Sequence, residues 1–257
     1  MVRNAVHKKI VQRNKSELAN AYPSWFRKIE WIALVLFFIL VSSLFYKIVL
    51  HFYEIKTLLF PALLLGWVGA DIASGIIHWA GDTWGSADTF ILGPALIRPF
   101  REHHVDAKAM TRHDFVETNA SCALGGIPIL VASLLVPFQT AHWLFVFLDL
   151  FVFFLMLFVL MTNQIHKWCH QDHPPKGIGF LQKYKILLNP KHHNIHHTPP
   201  FNTYYCITTG WMNWILYKIQ FFPTMEKIIT KMTGAIPRKD DIGEEAAKSL
   251  LIQTEMK

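Results

Sequence analysis

Ten of the fourteen histidines in this chain fall into four short groups. These are His78; His103 and His104, with His113 nearby; His166 and His170; and the run His192-His193-Asn194-Ile195-His196-His197. Imidazole is the commonest protein metal ligand. Zinc takes four ligands and often recruits Cys, yet the three cysteines here, Cys122, Cys169 and Cys206, show no CxxC spacing. So many imidazoles overfill one zinc, whereas two iron ions with several ligands each would use the set well. His166 and His170 lie four residues apart, as do His192/His196 and His193/His197, so each pair shares one face of a helix. Asn189 and Pro190 supply a helix start, and Thr198-Pro199-Pro200 a stop, which predicts a two-turn helix presenting four imidazoles.

The elements that must position these rings are apolar. Hydrophobic residues make up 52% of the chain and charged residues 17%, against about 25% charged in ordinary soluble domains. Four segments are long and apolar enough to cross a bilayer: 31–50, 57–80, 122–138 and 142–161. The first reads as a retained anchor, since it is too long for a signal peptide and no small-residue cleavage site follows it. The fold expected is all-α, a polytopic membrane protein with about four transmembrane helices and a cytosolic, His-rich helical cap. A basic segment 1–30 precedes a membrane domain 31–235, and a charged tail 236–257 follows. The net charge of +7 belongs to Lys and Arg flanking the spans rather than to nucleic-acid binding. Its distribution puts both termini in the cytosol, and every His group then emerges on that side.

Asp71 and His78 are seven residues apart on the second span, with Asp82 one turn further on. An ionisable group about 10 Å inside a span is costly and usually functional. Asp71 and Asp82 are therefore expected to accept ring N–H bonds and fix the histidine tautomers. His51, His142 and His173 read as interface or loop residues, Asp149 as a helix-packing group, and Cys169 as a packing residue. No phosphate-binding loop or serine nucleophile elbow is present, which leaves kinase and hydrolase readings without support.

The stretches Asp71–Gly85, Arg98–His104, Thr111–Phe115, Asn163–His170, Lys191–His197 and Asn202–Trp211 resemble the plasmanylethanolamine desaturase family over residues 60–240. That resemblance implies an O2-dependent di-iron lipid desaturase of the endoplasmic reticulum membrane. It would convert the 1-O-alkyl chain of an ether phospholipid to a vinyl ether, with electrons from NAD(P)H through cytochrome b5 and its reductase. It carries the iron ligands onto His78, His103, His104, His166, His170, His192, His193, His196 and His197. Asp71 falls on an acidic motif position, and His113 is a weaker candidate. Asp71, His78, His104, His170, His193 and His197 are the residues expected to be catalytically essential. Arg98, Arg101 and Lys191 are candidate phosphate partners. Ligand chemistry alone leaves open a di-iron acyl desaturase or hydroxylase, a metal transporter and an inactive scaffold.

Overall fold

The computed structural model describes residue 18, residues 22–198 and residues 201–237. Most of the basic segment 1–30 and the tail from 238 lie outside the described residues. In lipid, backbone polar groups must pair within their own segment, so apolar runs of this length become helices. Four of them are long and apolar enough to cross a membrane: α1 (Phe26–Leu50), α2 (Phe52–Thr83), α5 (Phe115–Leu134) and α6 (Trp143–His170). Between α2 and α5 lie a π-helical turn (Gly93–Ile97), α3 (Arg98–Val105) and the short α4 (Ala109–Arg112). After α6 come α7 (Ile178–Lys183), α8 (Pro190–His193), α9 (Trp211–Lys218) and α10 (Phe221–Thr233). No strand occurs among the described residues.

The spans run up and down, so the C-terminal ends of α2 and α6 share one end of the bundle with the N-terminal ends of α1 and α5. All the histidine groups gather at that end. α2 packs along α6, α6 along α5, and α5 along α1, whereas α2 and α5 share no extensive interface. Gly66 allows the closest approach, because a Cβ there would sit 2.8 Å from the Phe154 side chain and 2.9 Å from the Leu155 backbone. Small residues serve this purpose between membrane helices, where packing rather than water exclusion drives association. The shared core includes Leu34, Phe37, Leu44, Leu130, Leu150 and Phe153.

Several boundaries depart from the hydrophobicity pattern. α2 and α6 have 32 and 28 residues, or about 48 and 42 Å, and so outrun a hydrocarbon layer of about 30 Å. His78, His166 and His170 lie in the C-terminal turns of these long helices. The third span starts at Phe115 rather than 122 and ends at Leu134 rather than 138. Its start is set by Asp114, whose side chain accepts from the Glu117 amide at 2.9 Å, a helix cap. Its end precedes Pro137, which disfavours helical geometry at Val136.

Candidate metal centre

Two sets of imidazoles converge below the loop that joins α8 to α9. In the first, ligand atoms of His78, His103, His104 and His196 all lie within 4.8 Å of one another; in the second, those of His103, His166, His193 and His197 do. His103 stands in both. It is 1% exposed, and neither of its ring nitrogens has a hydrogen-bond partner. His170 joins the second set, its Nε2 lying 3.1 Å from Nε2 of both His166 and His193. His193 Nε2 also lies 2.8 Å from that of His166 and 3.0 Å from that of His197. A ring nitrogen offers one N–H or one lone pair, so hydrogen bonding cannot account for three such neighbours. A shared cation can. Separations near 3 Å are also the edge length expected of octahedral ligands bound at about 2.1 Å, a usual metal–imidazole distance.

The first set is completed by a carboxylate. Asp82 Oδ2 lies 3.3 Å from His78 Nε2 and 3.5 Å from Nε2 of both His104 and His196. His104 and His196 place their Nε2 atoms 2.9 Å apart. Two rings are oriented from behind: His78 Nδ1 donates to the Tyr205 carbonyl at 3.0 Å, and His196 Nδ1 to that of Thr203 at 2.8 Å. A carbonyl only accepts, so Nδ1 carries the proton and the Nε2 lone pair faces the other rings. Burial, reinforced by neighbouring imidazoles, holds His103, His193 and His197 well below the usual imidazole range. They are neutral, the state in which imidazole binds a metal.

Asp71 acts elsewhere than expected. Its Oδ1 accepts from the amides of Thr208, Thr209 and Gly210 at 3.2, 2.7 and 2.9 Å, and its Oδ2 from that of Met212 at 3.0 Å. The carboxylate therefore pins the end of the 203–210 loop and the first turn of α9 to α2, and that loop brings the Thr203 and Tyr205 carbonyls to the rings. Its influence on His78 passes through the loop, while Asp82 is the carboxylate in contact.

His192 also departs from the expected set. α8 has only four residues, capped by Asn189, whose side chain accepts from the amides of Lys191 and His192. After His193 the chain turns tightly, so the expected second turn is not α-helical. His193 and His197 enter the second set and His196 the first, but His192 points away. Its Nε2 meets Asn213 Nδ2 at 3.2 Å, and its ring packs beside Tyr204.

His113 lies in neither set: its Nε2 is 3.3 Å from Glu102 and 3.5 Å from Glu117. Arg98, only 2% exposed, bonds the same two carboxylates at 2.9 and 2.6 Å. Those bonds leave it unsuited to hold a phosphate. Lys191 is exposed. His142 caps α6 and His51 bonds Gln139 at the opposite end of the bundle, while His173 is exposed. Cys169 packs among Phe100, Ile165 and Leu188.

Beside the second set opens a mostly apolar cavity of about 540 Å³. Its upper wall includes His103, His166, His113 and Glu117; below these come Ser121, Cys122 and Asn163, then Gly125, Ile129, Leu155 and Met156. From His166 to Met156 it descends about 15 Å along α6. Its volume lies within the roughly 300–1,000 Å³ typical of small-ligand sites.

A bundle of membrane-spanning helices holding convergent imidazoles above an apolar cavity fits an integral membrane metalloenzyme acting on a lipid-like substrate. The lipid desaturase domain model matches residues 67–240. A plasmanylethanolamine desaturase of Myxococcus xanthus is 49% identical over 96% of this chain and 87% of its own length. Plasmanylethanolamine desaturase 1 of Mus musculus is 42% identical over 88% of this chain and 85% of its own. The chloroplastic fatty acid desaturase 4 of Arabidopsis thaliana is 30% identical over 69% and 54%, respectively. No solved structure matches. The chain belongs to the lipid desaturase family and is a membrane desaturase, an oxidoreductase of lipid metabolism.

Proposed function

We propose that this protein desaturates the 1-O-alkyl chain of plasmanylethanolamine to the vinyl ether of a plasmalogen, using two iron ions. His78, His104 and His196, with Asp82 alongside, would hold one ion, and His166, His170, His193 and His197 the other. His103 would stand between them, whereas the orientation of His192 argues for a supporting role. Iron with O2 supplies the oxidising power needed to take hydrogen from an unactivated C–H bond, which side chains cannot provide. The overall change is balanced: the substrate loses two hydrogens, and O2 with two electrons and two protons becomes two waters. In this reading NAD(P)H supplies the electrons through cytochrome b5 and its reductase. The enzyme would be a multi-pass protein of the endoplasmic reticulum with its termini and His-rich cap in the cytosol. Its basic segment 1–30 and tail 236–257 would flank the membrane domain 31–235.

One observation carries the choice of bond. The rings line the shallow end of the cavity, and its apolar remainder runs from them towards the middle of the bundle. A phospholipid with its headgroup at the interface would lay its chain down this space. The carbons nearest the ether oxygen then lie beside His103 and His166. Mid-chain acyl desaturation would need the rings partway along the cavity. The remaining wall residues exclude water and fix the chain, which supports selective oxidation of one bond.

The test is to express the chain in cells lacking plasmalogens, measure acid-labile vinyl-ether lipids by mass spectrometry, and analyse the purified protein for iron. The expected result is a vinyl ether at the 1-position with about two irons per chain. A double bond in an acyl chain with no vinyl ether would overturn the substrate assignment. Iron-free active protein would overturn the metal assignment.

A further inference from the structure

Resting on that reading of the cavity, we infer that the gap between α2 and α5 is a lateral portal through which the lipid's alkyl chain enters from the bilayer, with Gly125 at its sill. α6 packs against both helices and floors the space between them, yet α2 and α5 have no extensive contact of their own. Residues from both sides of the gap, Ile77 on α2 and Gly125 and Ile129 on α5, line the cavity and are also exposed. Leu92, from the segment above, is exposed there as well. All these side chains are apolar or absent, and in a membrane the medium at such an opening is hydrocarbon. An alkyl chain can slide sideways from that medium without crossing water.

Gly125 and Gly126 show that the space is specific. A Cβ at Gly126 would lie 2.9 Å from Phe37 and 3.2 Å from Met156 Sδ, so that glycine serves helix packing. A Cβ at Gly125 would meet nothing within 4 Å. The missing side chain at 125 therefore serves no contact within the protein, and it leaves open the side of the cavity between α2 and α5. Headgroup and glycerol stay at the polar rim, and the chain swings in through the gap. A bulky residue at 125 should block the chain without touching the histidines.

The test compares the full-length protein with Gly125→Ala and Gly125→Trp in phospholipid vesicles. The substrates are two plasmanylethanolamines, one with a hexadecyl and one with a butyl ether chain. Alanine adds one methyl group where nothing lies within 4 Å, so G125A should lose less than G125W on the hexadecyl lipid. G125W should lose at least about tenfold in kcat/KM on the hexadecyl lipid, mainly through KM, and little on the butyl lipid. Its metal content and thermal unfolding should match the parent. Parent-like turnover of the hexadecyl lipid by G125W would overturn the portal. Equal loss on both lipids, or loss of metal, would also overturn it. The parent protein is the control that separates the two ideas: if it makes no vinyl ether from either lipid, the reaction assignment fails, and the variants are then compared by labelling of the cavity-lining residues with a membrane-soluble photoreactive alkyl probe. G125W should abolish that labelling if the portal stands, and unchanged labelling in G125W would overturn it.

Discussion

At the end of the bundle away from the two imidazole sets, Lys47 on α1 meets Asp149 on α6 at 2.9 Å. The other oxygen of Asp149 accepts from the Ser133 hydroxyl, and Lys47 also reaches the Ser133 carbonyl at 3.2 Å. Lys47, Asp149 and Ser133 answer one another there. At the opposite end, neutral imidazoles face each other nitrogen to nitrogen, and His103 has no hydrogen-bond partner at all. The buried Lys47, Asp149 and Ser133 satisfy one another, whereas both ring nitrogens of His103 are buried without a hydrogen bond, as suits a metal ligand. The contrast separates structural from functional polarity within one molecule.

Removing a ring shared by both sets should break the contrast most severely. His103→Ala should lower metal content and turnover by more than about a hundredfold, beyond the usual effect of an outer-shell change. Metal analysis after purification checks this. Acid should act on the same end. His103, His193 and His197 are held neutral in the fold but titrate near pH 6.5 when exposed. Below about pH 6.5 the unfolded chain binds more protons, so stability falls as pH falls, and protons compete with metal. Metal release and a lower melting temperature between about pH 7.5 and 5.5 are expected, and an unchanged metal content at the acid end would sink this view.

Asp71→Asn keeps the shape but withdraws the charge that gathers four amides. A loss of about 10–100-fold in metal affinity is expected, measured by competition with a chelator, with Asp71→Glu restoring part of it. At the structural end, Lys47→Met alone should destabilise by about 3–5 kcal/mol by stranding Asp149. Lys47→Met combined with Asp149→Leu should recover most of that in detergent unfolding, with metal content unchanged throughout. Smallest of all, His192→Asn should leave metal content within about twofold, whereas His193→Asn should deplete it.

Much of this was legible in the sequence. Four apolar spans and the i,i+4 pair His166/His170 were readable because helix period and span length are local properties. The start of α5 was not, because Thr118, Asn119 and Ser121 interrupt the apolar pattern, although Asp114 followed by Glu117 was an available capping signal. The run 192–197 suggested four equivalent ligands, but the chain leaves α-helical geometry after His193 and turns His192 outward. Arg98 looked like a phosphate partner because Glu102 and Glu117, which take its charge, come from two different elements. The cavity could not be read at all, since its walls are assembled from distant segments.

The cap on Asp71 bears on how the protein is made. Its first amide partner, Thr208, lies 137 residues further along the chain, and the carbonyl that orients His78 lies 127 residues beyond that ring. At roughly 5–20 residues per second, ribosomes need on the order of ten seconds to supply them. The spans can insert while the carboxylate in α2 still waits for its amides. Biogenesis therefore ends, rather than begins, with the assembly of the oxidising centre, and a chain interrupted before residue 203 would be an inserted bundle that cannot orient His78 and His196.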